Sequence, residues 1–255
     1  MDIGKCQLCL QQAQLVAKSH IIPFFLIKKL KDHTNRFIVT KTNERGKHKW
    51  KQNFFYEKNI LCSSCENELI SSFERYFSIF DDGLHARISK GLDLTEPLLQ
   101  PPNFQMAHID YNKLKLALLS ILWRAHISKN PFFQAIDIKE KAEELRLMLL
   151  SSRCPNDLEF RISIFGLLKQ PDKVFGIISQ PVLAIGGGYH YSVFILNGIV
   201  YNIELKYSPN NKVFMETLKS SQEVRIIFMP PNMTYPYLNE FYKTDTFGPW
   251  GVGGN

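Results

Sequence analysis

Five cysteines punctuate the chain, and four of them form two Cys-x-x-Cys pairs, Cys6 with Cys9 and Cys62 with Cys65. Each pair at that spacing can span one edge of a tetrahedron, so together they predict a structural Zn(II) thiolate site. Zinc lowers the thiol pKa, and its bond energy becomes folding energy for the intervening segment. Two disulfides are the alternative, disfavoured in a reducing compartment. Cys154, before Pro155, reads as an ordinary core or loop thiol. Between the pairs lies a second chemical feature. Lys28, Lys29, Lys31, Arg36, Lys41, Arg45, Lys47, Lys49 and Lys51 are opposed only by Asp32 and Glu44, so residues 28–51 carry the chain's whole net charge of +7. Clustered cations of this kind are the footprint of a polyanion partner, because counterion release rewards them. A solvated surface face is the plainer reading.

Lys18-Ser19-His20-Ile21-Ile22-Pro23 lies between the first cysteine pair and the basic segment. With the two cysteine pairs, the His-Ile-Ile-Pro run resembles the HNH endonuclease superfamily in its zinc-stabilised form. The resemblance covers about residues 5–80, less than a third of the chain. It implies a treble-clef/ββα-metal fold in which His20 is the general base that draws a proton from the attacking water. An imidazole suits that task because its ordinary pKa of about 6.5 leaves much of it neutral near pH 7. The resemblance also implies a catalytic Mg(II) or Mn(II), separate from the zinc, at the scissile phosphate. The residue after the second pair, Glu66, would be a ligand, together with Glu57 or Asn59. Ser19 stands where the family carries Asp or His, and Glu57 stands where it carries Asn. If 56–61 is a strand, Glu57 and Asn59 share a face. The partner so implied is nucleic acid, DNA before RNA. The setting implied by analogy is bacterial antiviral defence beside an ATPase or sensor protein.

The same residues have structural readings. His20 can pack on Ile21 and Ile22, and Glu66 can serve only the dipole of the helix it opens. On that view the chain is a non-catalytic, zinc-stabilised module that docks nucleic acid or a protein partner. A third reading is a structural subunit assembled through its C-terminal half. Phe37, Trp50, Phe54, Phe55 and Tyr56 either stack on bases or cover the back of a hairpin.

The elements that must position these groups follow from pattern. At 255 residues, 45% hydrophobic and 22% charged, the composition excludes a disordered, collagen-like or coiled-coil chain. No apolar run approaches the ~20 residues of a membrane span, and Met-Asp-Ile-Gly-Lys-Cys lacks a signal-peptide layout. A soluble, cytoplasmic protein without a membrane partner is expected. The first cysteine pair sits in a polar turn and the second opens a helix, with extended chain between them. That helix carries Leu69, Ile70, Phe73, Phe77 and Phe80 at helical spacing and is expected to break at Asp81-Asp82-Gly83. Pro97, Pro101 and Pro102 suggest a boundary near 97–105, separating residues 1–96 from 105–255. Helices are predicted over 111–128 and 137–150, with Trp123, Arg124 and His126 as core packing with polar tips. Strands are predicted over 160–165, 182–185, 189–196, 199–205 and 224–228, with a hairpin turn at Asn197-Gly198. The fold class is therefore α+β: an N-terminal zinc domain, a helical middle and a C-terminal antiparallel β region. Its glycine-rich tail carries Trp250 and is expected to be mobile.

Overall fold

The computed structural model describes residues 2–40, 48–51, 55–92, 103–186, 189–210 and 217–242. The fold is mixed α+β. The N-terminal part opens with a hairpin of β1 (Ile3–Lys5) and β2 (Gln12–Gln14), whose tip holds the first cysteine pair. Next come β3 (Ser19–His20), α1 (Phe24–Lys28), the hairpin β4 (Phe37–Thr40) and β5 (His48–Lys51), and β6 (Tyr56–Glu57). So the link between the cysteine pairs is not simply extended chain. Pro23 fixes the backbone entry to α1, and β6 returns to pair antiparallel with β3. The expected strand 56–61 stops at Glu57, because Asn59 takes a left-handed conformation with φ 57°. The tail from 243 onward, with Trp250, lies outside the described residues.

The second cysteine pair leads into a π-helical segment, Ser64–Ile70, continuous with α2 (Ser71–Ile88). The predicted break at Asp81-Asp82-Gly83 does not occur. Asp81 is fully buried, with Lys29 Nζ at 2.6 Å and His85 Nε2 at 3.6 Å, while Leu84 and Ile88 enter the core. Burying two further apolar side chains outweighs the ~1 kcal/mol that a helical glycine costs.

Helices α3 (Tyr111–Ile127) and α4 (Lys139–Leu150) follow, α3 capped by the Asp110 side chain on Lys113 N. The last part is a seven-stranded sheet. Its order is β10 (Val182–Gly186), β11 (Tyr189–Leu196), β12 (Ile199–Glu204), β8 (Ile162–Gln170), β13 (Val224–Met229) and β7 (Asn103–Met106), with β9 (Lys173–Val174) beside β8. The sheet is mixed rather than wholly antiparallel, since β13 runs parallel to β8. Residues 103–106, which fall inside the proline-rich boundary, instead supply the edge strand β7 through pairing with β13. One sheet face, with Ile164, Tyr201 and Phe228, packs on the helical layer. The other carries Val193, Ile195 and Val200 and is partly covered by α5 (Pro231–Tyr242). A continuous core runs from Cys6 to Phe228. Edge-to-face rings carry it across the parts, with Phe25 against Phe77 at 5.4 Å and Phe77 against Tyr201 at 5.7 Å.

Candidate metal centre and adjoining polar site

The four paired cysteines converge. Cys6 N donates to Gln11 O at 2.9 Å and Leu10 turns left-handed with φ 62°, which closes the first knuckle. The second approach runs alongside it: Gln7 N donates to Ile60 O at 2.8 Å, and Leu15 pairs with Cys62 as an isolated antiparallel bridge. The sulfurs of Cys6, Cys9, Cys62 and Cys65 all lie within 4.8 Å of one another, close enough to hold one metal ion. None of them is in a disulfide, and the Cys9 and Cys62 sulfurs are 3.9 Å apart. Burial pushes the Cys6 thiol up, but N–H groups of Cys9, Cys62 and Leu8 outweigh it and bring the net value below that of an ordinary thiol. Cys62 N sits 3.3 Å from Cys6 Sγ. Backbone amides aimed at the Cys6 sulfur favour its thiolate, the form that binds metal, whereas burial pushes the Cys9 and Cys65 thiols up. From α4, Arg146 donates to Leu8 O at 2.5 Å, and Glu143 grips its guanidinium at 2.6 and 2.7 Å. The cationic group therefore rests against the first knuckle.

Next to this centre lies a second group of polar side chains. The β3–β6 pair sets Ser19 opposite Glu57 and His20 opposite Tyr56. Ile21 and Ile22 are fully buried, so the strand end is pinned from below. The imidazole of His20 neighbours Phe24 at 5.6 Å and Tyr56 at 6.3 Å, ring centre to ring centre. Burial lowers its pKa. Glu74 opposes that shift, and Arg124, Lys18 and Lys31 reinforce it. The net effect favours the neutral, proton-accepting form.

Ser19 is fully buried and Glu66 is half-buried. Burial raises the Glu66 pKa and Glu74 adds to that, while Arg124, the Ser19 hydroxyl and the His20 amide hold it down. These neighbours act on the carboxylate, yet Ser19 Oγ and Glu66 Oε2 are both buried without a well-formed hydrogen bond. Arg124, fully buried on α3, ties the group together. It donates to the His20 carbonyl, to Glu74 Oε1 at 2.5 Å and to the Ser120 carbonyl at 3.2 Å.

Ser19, His20, Glu66, Glu74 and Arg124 are therefore neighbours in one cluster. Glu57 adjoins it but is engaged elsewhere, its Oε2 accepting from Lys129 N at 2.5 Å and Ser128 Oγ at 3.1 Å. Asn59 points its amide at Asp2, 2.7 Å away. The sequence predicts core packing with a polar tip for Arg124 and does not single out Glu74; the Arg124 guanidinium is instead buried whole, on partners 104 and 50 residues away. The available signal was a guanidinium within an apolar helix, which must find buried acceptors.

The basic segment divides into distinct fates. Lys29 is locked to Asp81 and Asp82, 2.6 and 2.7 Å away, and Arg36 leans on Asp32 and Thr34. Lys28 is exposed, while Lys31 lies over the Phe24 ring at 5.0 Å. Lys49 and Lys51 belong to β5, opposite Val39 and Phe37; their side chains, and all of Lys41, Arg45 and Lys47, lie outside the described residues. Phe37 and Phe55 are buried against each other, and Phe55 packs on Phe132 at 4.7 Å. Burial pushes the lone Cys154 thiol up to about 11. Among the described residues, no helix is long and apolar enough to cross a membrane. Comparison with protein-family models, with curated proteins and with solved structures finds no match.

Proposed function

We propose that the chain is a metal-dependent nuclease of HNH type, built on a zinc-stabilised treble clef, that hydrolyses phosphodiester bonds in DNA. The observation that carries this reading is the clustering of His20, whose imidazole is held toward its neutral form, with Glu66, whose carboxylate meets the His20 backbone amide and has its Oε2 buried without a hydrogen-bond partner. Both are anchored next to a four-thiol centre suited to Zn(II). His20 accepts the proton of the attacking water at an imidazole nitrogen. Arg124, bonded to the His20 carbonyl, holds the strand that carries the base. Glu66 Oε2 and Ser19 Oγ are two oxygens that would hold Mg(II) or Mn(II), a donor type such hard cations accept. Bound there, the cation would supply positive charge to the scissile phosphate and leaving oxygen.

The test is cleavage of plasmid and single-stranded DNA with Mg(II), Mn(II) or EDTA, wild type beside His20→Ala. Metal-dependent cutting that falls by about 10²- to 10⁴-fold in the variant is expected for loss of a general base. Equal cutting by both proteins, or none by either, sinks the proposal. The competing reading, a non-catalytic binding module, is favoured by two particulars. Ser19 offers a hydroxyl where a carboxylate or imidazole would bind metal, and Asn59 is turned to Asp2. It predicts zinc without a second divalent site, and salt-sensitive binding without cutting.

A further inference from the structure

The rim of the His20 site is aromatic as well as cationic. Phe24 is 43% exposed, large for a phenylalanine, and its ring centre lies 5.6 Å from that of the imidazole. Tyr56 is half-buried, its ring centre 6.3 Å from that of the imidazole. Each ring carries a lysine: Lys31 Nζ is 5.0 Å from the Phe24 centre, and Lys18 Nζ is 5.2 Å from the Tyr56 centre. Unlike Lys29, neither lysine has a carboxylate partner among the described residues. An exposed cation–π contact is weak, so a phosphate can draw the ammonium away and leave the ring face open. Beyond Tyr56 a cavity of about 570 Å³ continues, lined by Gln7, Lys58, Asn59 and Lys129, with Glu57 as its one carboxylate among the described residues. Solvent-facing rings interleaved with unpaired cations are the surface that binds a single strand, whose bases are free to stack. A duplex keeps its bases stacked inside and can offer such rings only its backbone.

We infer that Phe24 and Tyr56, with Lys31 and Lys18, form a stacking platform flanking His20, and that the substrate is single-stranded nucleic acid. The inference deepens the nuclease reading and rests on it for the role of His20. Bases on either side of the scissile phosphate stack on the two rings, and the lysines move to the adjoining phosphates. The phosphate is thereby brought to the imidazole.

Fluorescence anisotropy on the full, zinc-loaded chain tests this without any cleavage. Labelled oligo(dT), oligo(U) and a blunt duplex are titrated with no catalytic divalent cation added. Wild type is compared with Phe24→Leu, Tyr56→Leu and the double variant Lys18→Gln/Lys31→Gln. Leucine keeps apolar bulk at each ring position, and zinc content verifies the fold. Wild type is expected to bind at least one single strand more than tenfold tighter than the duplex. Each leucine variant should lose about 5- to 150-fold on that strand, the range for one stacked base, with duplex binding unchanged. The double lysine variant should flatten the dependence of log K on log salt by about 1.4, two single-strand phosphate contacts. The dT and U arms decide between DNA and RNA.

Duplex binding equal to or tighter than both single strands, or leucine variants that bind single strands like wild type, overturns the platform. Single-strand preference lost in the ring variants, in a protein that never cuts, upholds the platform and refutes the nuclease. Duplex cutting that the ring variants leave intact does the reverse. Failure to bind any of the three probes overturns the platform and counts against the nuclease as well.

Discussion

Two guanidinium groups, Arg124 and Arg146, do for the N-terminal part what its own sequence cannot. Arg146 meets the Leu8 carbonyl between the first two thiols. A four-thiolate zinc centre carries a formal double negative charge, and a nearby buried cation offsets part of it. Arg146→Gln is expected to weaken metal retention by about 10- to 100-fold, the usual cost of losing an outer-shell partner, read as zinc release to a chromogenic chelator. The basic segment offers a second contrast. Lys29 neutralises the fully buried Asp81, so Lys29→Ala should cost about 2–3 kcal/mol in urea unfolding, below the figure for an orphaned buried charge because Lys29 is partly exposed and His85 remains beside Asp81. Lys28→Ala, at an exposed position, should stay within about 0.5 kcal/mol. The cysteine pairs were legible because each knuckle is defined by local spacing. The duties of Lys29, Arg124 and Arg146 were not, because their partners lie 52, 104 and 138 residues away.

At the scale of elements, periodicity located α3, α4 and the strands β10 to β13 to within a few residues; it missed α1, α5 and the short strands β1 to β5, and it failed where distant contacts decide. The Asn197-Gly198 turn is where expected, with φ values of 53° and 78°. Strand β7 was hidden because its partner β13 lies 120 residues on, and α2 outran its break because Asp81 finds Lys29. The continuation of α2 makes a clear forecast for glycine. Gly83 is helical, and a Cβ there would meet only Met106 Cε at an ordinary 3.9 Å. Gly83→Ala should therefore stabilise the fold by about 0.5–1 kcal/mol through helix propensity. A helix ending before Asp81 would give no such gain. Gly166→Ala should destabilise, because its Cβ would run into the Phe228 ring across β8 and β13. Parallel denaturant curves for the two variants read out both signs.

Across the whole molecule, helix α3 links the N-terminal site to the sheet, and its interior holds a buried charge. Lys115 donates to Tyr111 Oη at 2.8 Å and to the Asn156 and Glu159 carbonyls, each at 2.7 Å. Burial pulls its pKa down to about 8, against the pull of Cys154, Asp157 and Glu159. In the unfolded chain the amine keeps its ordinary value near 10.5. Between those values the unfolded state binds more protons, so stability rises with pH from about 8 towards 10.5. The full swing is roughly 3 kcal/mol. The raised Cys154 thiol works the other way above about pH 9, so unfolding free energies at pH 7.5 and 9.5 should give a more positive slope in wild type than in Lys115→Met; identical slopes would refute it. The slope is the diagnostic quantity, because the variant also leaves carbonyl oxygens without a donor.

The Arg124 bridge has a consequence for inheritance. Every residue on which the proposed nuclease reading draws its HNH resemblance lies before residue 80, yet the group fixing the His20 strand enters from α3. A recombination event that moved the cysteine pairs and the His-Ile-Ile-Pro run into another gene would leave that guanidinium behind. The recipient would have to supply a buried cation of its own, or inherit the helical layer in the same step. Transfer of this site to another protein is thus tied to much of the chain.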